Sequence, residues 1–127
     1  MKYIGGIAVK HKILIVEDEQ NMRLLLEEEL VEEGYNVLAV SDAEEAIKVF
    51  ESEGDIDLMT IDIEMPGMSG LELAGRMRKT VPDVKIILLT AYTHYKQDLS
   101  SWAADEYVVK SMDLSELKNK IRDLLRS

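Results

Sequence analysis

Five short apolar runs separated by amphipathic stretches constrain this chain more than any other feature. The runs are Ile13-Leu14-Ile15-Val16, residues 37–40, residues 56–61, Ile86-Ile87-Leu88-Leu89 and Tyr107-Val108-Val109. Three of them are nearly continuous apolar blocks, the pattern of strands covered on both faces in a parallel sheet. The intervening stretches keep helical spacing. Met22, Leu25, Leu26 and Leu30 share one face, as do Ala43, Ala46, Ile47 and Phe50, and then Leu114, Leu117, Ile121, Leu124 and Leu125. Ser41 with Glu44 and Asp113 with Glu116 have the spacing of capping boxes, and Gly34 stands where a helix would stop. Strand–helix units joined by right-handed crossovers build an α/β three-layer sandwich around a five-stranded parallel sheet. The fourth helix, over residues 93–102, is short and polar and is expected to be short or mobile.

Residues 1–11 precede the first unit as an N-terminal extension, expected to be flexible or to lie along the sheet edge. Residues 12–127 then form one domain, and the 127-residue chain is long enough to bury a core without cross-links. No cysteine is present, so neither disulfides nor thiolate metal sites enter the argument. Acidic side chains outnumber basic ones 25 to 15, for a formal charge of −10. That balance disfavours direct contact with nucleic acid or anionic membranes and allows cations and basic protein surfaces. No apolar run reaches the roughly 20 residues of a membrane helix, and a cytoplasmic location is expected.

Ligands of open parallel sheets bind beyond the carboxyl ends of the strands, and the residues collected there are polar. The first run ends in Glu17-Asp18-Glu19, the third in Asp62, the fourth in Thr90 and the fifth in Lys110. Singly, each has a structural explanation. Carboxylates suit a helix start, an aspartate suits a turn, Thr90 suits a cap, and Lys110 suits a solvated surface. Jointly, they describe a crevice with carboxylates, a hydroxyl and one cation. Asp62 also opens the stretch Asp62-Ile63-Glu64-Met65-Pro66-Gly67-Met68-Ser69-Gly70, in which Pro66-Gly67 signals a turn.

This loop resembles the phosphorylation loop of response regulator receiver domains, Asp-x-x-Met-Pro-x-Met-x-Gly, at every fixed position. Val16-Glu17-Asp18-Glu19, Leu89-Thr90-Ala91 and Tyr107-Val108-Val109-Lys110 are similar to the other signatures of that two-component signalling family, in order, and the resemblance spans residues 12–126. It implies a flavodoxin-like (βα)5 fold of the chemotaxis-regulator superfamily, with strand order 2-1-3-4-5. It implies a phosphoacceptor switch and not a turnover enzyme, with Asp62 as nucleophile for a histidine kinase or phosphotransfer protein. Glu17, Asp18, Asp62 and the backbone carbonyl of Glu64 would hold Mg²⁺, with Mn²⁺ as a substitute. Lys110 and Thr90 would contact phosphoryl oxygens, and Thr90 with Tyr107 would remodel the face of the fourth helix, fifth strand and fifth helix for an unspecified effector protein. Glu64 and Tyr92 would set phosphoryl lifetime by hindering water, giving slow autodephosphorylation. The chain would act as a stand-alone receiver or as a domain of a longer regulator, monomeric or dimeric on phosphorylation.

Several residues depart from the family pattern. Ser111 follows Lys110 where proline is usual, and a cis Lys110–Ser111 bond is expected despite the ~2.5–4 kcal/mol such a bond costs. Trp102 is expected to pack, His11 and His94 to be surface residues, and the methionines to fill the core apart from Met65 and Met68. Two alternatives stay open. One is a magnesium-dependent phosphatase similar to haloacid-dehalogenase-like enzymes, with Asp62 as nucleophile and Glu64 as acid/base. The other is a receiver-fold scaffold that binds partners without phosphorylation.

Overall fold

The computed structural model describes residues 1–91 and 103–126. The expected fourth helix at 93–102, with His94 and Trp102, therefore lies outside the described residues, as does Tyr92. The five expected strands are β3 (Lys12–Val16), β4 (Asn36–Val40), β5 (Leu58–Asp62), β6 (Lys85–Thr90) and β7 (Glu106–Val109), after a hairpin of β1 (Lys2–Ile4) and β2 (Ile7–Val9). The described helices are α1 (Gln20–Glu32), α2 (Ala43–Glu53), α3 (Gly70–Thr80) and α4 (Ser115–Leu125). The five strands form one parallel sheet in the order β4-β3-β5-β6-β7, the expected 2-1-3-4-5.

The pleat sorts each strand's side chains between two cores. Leu14, Val16, Met59, Ile61, Ile86 and Leu88 face one side, where Ala46 and Phe50 of α2 and Leu73 and Met77 of α3 cover them. Ile13, Ile15, Leu58, Ile87, Leu89 and Val108 face the other, under Leu26 and Leu30 of α1 and Leu117 and Ile121 of α4. This period-two alternation explains why the runs read as continuous apolar blocks. Both faces are dry.

Two cap assignments shift. The N-cap of α2 is Asp42, whose carboxylate accepts the Glu45 N–H at 2.8 Å, while Ser41 Oγ donates to Glu45 at 2.9 Å. The pairing is thus one residue later than the Ser41–Glu44 box, because Ala43 is already helical. Before α4, Asp113 accepts from the Ser115 N–H at 3.0 Å and the Ser115 hydroxyl at 2.6 Å, and Leu114 occupies the cap position without a side-chain bond. Gly34, with φ +96°, follows the α1 C-cap Glu33 as expected.

The extension is a hairpin. Gly5 (φ +58°) and Gly6 (φ +83°) supply the two positive φ angles that a two-residue reversal demands, so the chain pairs with itself and forms a separate two-stranded sheet. Asp57 ties it to the domain, receiving Lys2 Nζ at 2.7 Å and the Lys12 N–H at 2.7 Å. Stability resides in the two cores and not in this tie. Leu14→Ala should cost about 2–5 kcal/mol, whereas Lys2→Ala, which removes a part-exposed ion pair, should cost less than about 1 kcal/mol. Urea unfolding of both variants checks the contrast.

Candidate functional site

The carboxyl ends of β3, β5 and β7 bring Glu17, Asp62 and Lys110 together. Glu17 follows the last residue of β3 and fixes its backbone by donating its N–H to Val40 O at 3.1 Å. Its side chain has no exposure, and that of Asp62 only 1%. Lys110, held by its N–H on Thr90 O at 2.7 Å, reaches back to the pair. Its Nζ lies 2.9 Å from Glu17 Oε1 and 3.1 Å from Asp62 Oδ1. The Lys110–Ser111 bond is trans, as are all the described peptide bonds, so the expected cis isomer is corrected. With serine in place of proline, the ordinary trans preference stands unopposed, and the ammonium reaches both carboxylates regardless.

Asp18, exposed, completes a cluster in which oxygens of Glu17, Asp18 and Asp62 all lie within 4.8 Å of one another. One ammonium does not neutralise this group. Burial first, then a hydrogen bond with Asp18 and the charge of Glu17, push the Asp62 carboxyl up to about 8, against the opposing pull of Lys110. Lys110 loses some basicity to burial, but its bonds and charge interactions with Glu17 and Asp62 outweigh that and raise it. Asp62 Oδ2 and Glu17 Oε1 are buried without a hydrogen bond among the described residues, although the latter sits in the ion pair with Lys110. Unsatisfied hard oxygens beside an excess of negative charge are the donor set that suits a small divalent cation.

The adjoining loop is built around two contacts. The Glu64 N–H donates to Asp62 Oδ1 at 3.2 Å, and the Gly70 N–H donates to Ile63 O at 3.1 Å. A Cβ on Gly70 would collide with the Asp62 carbonyl, so glycine is required there for steric reasons. Ser69 then caps α3 through the Glu72 N–H at 3.2 Å.

Thr90, at the end of β6, is fully buried and lies next to this group. Its hydroxyl is 3.2 Å from both Glu64 oxygens, and Glu64 also accepts the Ala91 N–H at 3.3 Å. Tyr107 is half-buried against the same core as Leu88, on the side that Thr90 continues from Ile86 and Leu88. Sequence reasoning missed the reach of the Glu64 side chain, which no spacing rule signals. It also missed Arg23, whose Nη1 donates to Glu17 O at 2.9 Å and steadies the acidic turn; a cation one turn into a helix that follows an acidic loop was the available signal. A cavity of about 550 Å³ opens at the other end of the strands, lined by Lys2, His11, Asp57 and Arg78, so cavity volume does not mark this chemistry.

Comparison with known proteins agrees with this geometry. The family model of the response regulator receiver domain matches residues 13–122. The chain belongs to that family. PhoP of Pseudomonas aeruginosa, a two-component response regulator, is 42% identical over 117 residues, covering 91% of this chain and 52% of the relative. The chain spans about half the length of the curated relatives it matches. The crystal structure of Thermotoga maritima response regulator TrrA in complex with Mg²⁺-BeF is 61% identical, with a TM-score of 0.85 over 91% of this chain and 99% of that one. TrrA in complex with the histidine kinase ThkA matches at 60% identity and a TM-score of 0.83, over 91% and 98%. This receiver is accordingly a two-component phosphoacceptor switch, and the phosphatase alternative gives way. Among the described residues no helix is long and apolar enough to cross a membrane.

The raised Asp62 carboxyl fixes the sign of a pH effect. Between about pH 4 and pH 8 the folded, metal-free receiver keeps a proton that the unfolded chain has released, so this group's contribution to stability falls as pH rises. Asp62→Asn should therefore gain stability over wild type on going from about pH 5 to about pH 8 in chelator. Parallel melting-temperature curves for the two proteins would contradict this.

Proposed function

We propose that Asp62 is the phosphoacceptor and that its partner is a histidine kinase or a phosphotransfer protein. The observation that carries this is Asp62 Oδ2, buried beside the Lys110 ammonium and without a hydrogen bond among the described residues. Asp62 Oδ2 attacks the phosphorus of a phosphohistidine. The new O–P bond forms as the P–N bond breaks, and the departing imidazole nitrogen takes up a proton. Lys110 balances charge on the transferring group, and Thr90 donates its hydroxyl to a phosphoryl oxygen. Glu17, Asp18, Asp62 and the Glu64 carbonyl would hold Mg²⁺, with Mn²⁺ as the expected substitute; when bound, the ion offsets the negative charge of the carboxylates and phosphoryl oxygens. The Mg²⁺-BeF complex of TrrA and its complex with ThkA support both the cofactor and the class of donor.

Output follows from the core under α2 and α3. A phosphoryl group adds roughly −1.5 to −2 charges and draws Thr90 toward itself. Tyr107, on the same side, turns into the space released and alters the surface around β7 and α4 that an effector protein reads; the fourth-helix part of that face is outside the described residues. The charge of −10 supports a protein and not a nucleic acid as direct target. The active form is a monomer or a phosphorylation-dependent dimer, and the proposed location is the cytoplasm, where kinase phosphohistidines are presented.

Intact-mass analysis after incubation with acetyl phosphate and Mg²⁺ tests the proposal. Wild type should gain one phosphoryl group, and Asp62→Asn or omission of magnesium should abolish the gain. No gain in wild type under any condition would overturn it. Followed after removal of the donor, Glu64→Asn should lose the group faster than wild type, since the Glu64 side chain shields the site from attacking water; an equal or slower loss would remove Glu64 from lifetime control. Thr90→Ala should still be phosphorylated on Asp62, but its Tyr107 ring resonances should not shift on phosphorylation, as those of wild type should.

A further inference from the structure

The Glu64 carboxylate takes up the hydroxyl of Thr90, the residue proposed as the switch threonine. It leaves the loop after β5, crosses to the end of β6 and sits with both oxygens 3.2 Å from Thr90 Oγ1, one of them also 3.3 Å from the Ala91 nitrogen. A hydroxyl has one proton to give, and so has a backbone amide. While Glu64 receives both, neither is available to a group on Asp62. The same residue's N–H donates to Asp62 Oδ1 at 3.2 Å, so Glu64 touches the phosphoacceptor and the switch at once.

We infer that Glu64 is a resting-state latch, holding the Thr90 hydroxyl and the Ala91 N–H until a phosphoryl group on Asp62 displaces it. The inference rests on the phosphoacceptor reading of Asp62 and adds a gate to it. Three properties make the exchange work. Bonds from a buried hydroxyl and an exposed backbone amide to a carboxylate are charge-assisted and hold the resting state. At 3.2–3.3 Å they are long for that class, so they yield. The incoming group carries roughly −1.5 to −2 charges against one on the carboxylate, so it binds the same donors more strongly and repels Glu64 outward. Engagement of Thr90 and departure of Glu64 are then one event. This role concerns entry into the active state and is separate from any effect of Glu64 on attacking water.

Two measurements test the latch. In magnesium-free protein, Glu64→Ala should move the Ala91 amide resonance upfield and accelerate its hydrogen exchange; an unchanged Ala91 amide would overturn the inference. With Mg²⁺ present, titration with beryllofluoride should show about tenfold tighter binding in Glu64→Ala. Glu64→Asp, which keeps the charge but is one methylene short of Thr90, should show a similar gain. In a Thr90→Ala background the gain from Glu64→Ala should be smaller, because the hydroxyl contact is already lost and only the Ala91 N–H remains to be released. Simple charge repulsion predicts the reverse, with Glu64→Asp like wild type and the Glu64→Ala gain intact without Thr90, and that result would reject the latch. Wild type that binds no beryllofluoride would overturn the phosphoacceptor reading and the latch with it. Normal wild-type binding with no gain in Glu64→Ala would remove the latch alone.

Discussion

Three carboxylates face one ammonium at the rim of a sheet whose faces are both dry. Glu17 and Asp62 cannot move into water without dragging β3 and β5 out of the two cores, and Lys110 reaches them only because β7 closes the sheet on that side of β6. The fold therefore holds a charge imbalance that it does not cure. Burial and crowding leave Asp62 poorly ionised in the absence of a cation, so added positive charge favours its carboxylate form. A site that was electrically satisfied at rest would have little use for either a metal or a phosphoryl group.

The pleat divides labour at that rim. Glu17, Asp62 and Lys110 continue the side packed under α1 and α4, where Ile15 and Val108 lie, whereas Thr90 and Tyr107 belong to the side packed under α2 and α3. The acidic cluster and the proposed switch pair thus stand on opposite faces of neighbouring strand ends. Glu64, starting beside Asp62 and ending on Thr90, is the described side chain that joins them.

The parts that were legible in the sequence are those set by period and by local chain chemistry. Alternating blocks such as Ile13-Leu14-Ile15-Val16 announced strands covered on both faces, and the residues after each block announced which groups meet, because a parallel sheet presents all its carboxyl ends at one rim. Less legible were features decided by one residue's phase or by long-range reach. Ser41 and Asp42 both suit a cap, and only the start of α2 at Ala43 selects Asp42. The peptide before Ser111 had a family precedent that depends on proline, and serine does not carry it. The hairpin turned on reading Gly5-Gly6 as a reversal, which the expectation of a flexible or edge-lying extension did not include. The bond from Glu64 to Thr90 spans 26 positions and depends on a side-chain conformation that no pattern encodes.

Gly70 places the first residue of α3 directly against the Asp62 carbonyl, with no room for even a methyl group between them. Nine consecutive residues, from Asp62 through Gly70, are consequently a single mechanical part, clamped at one end by β5 and at the other by a helix. In engineering terms the loop is a cassette. Its two ends are set against each other, so a residue larger than glycine at position 70 would part the helix from the strand.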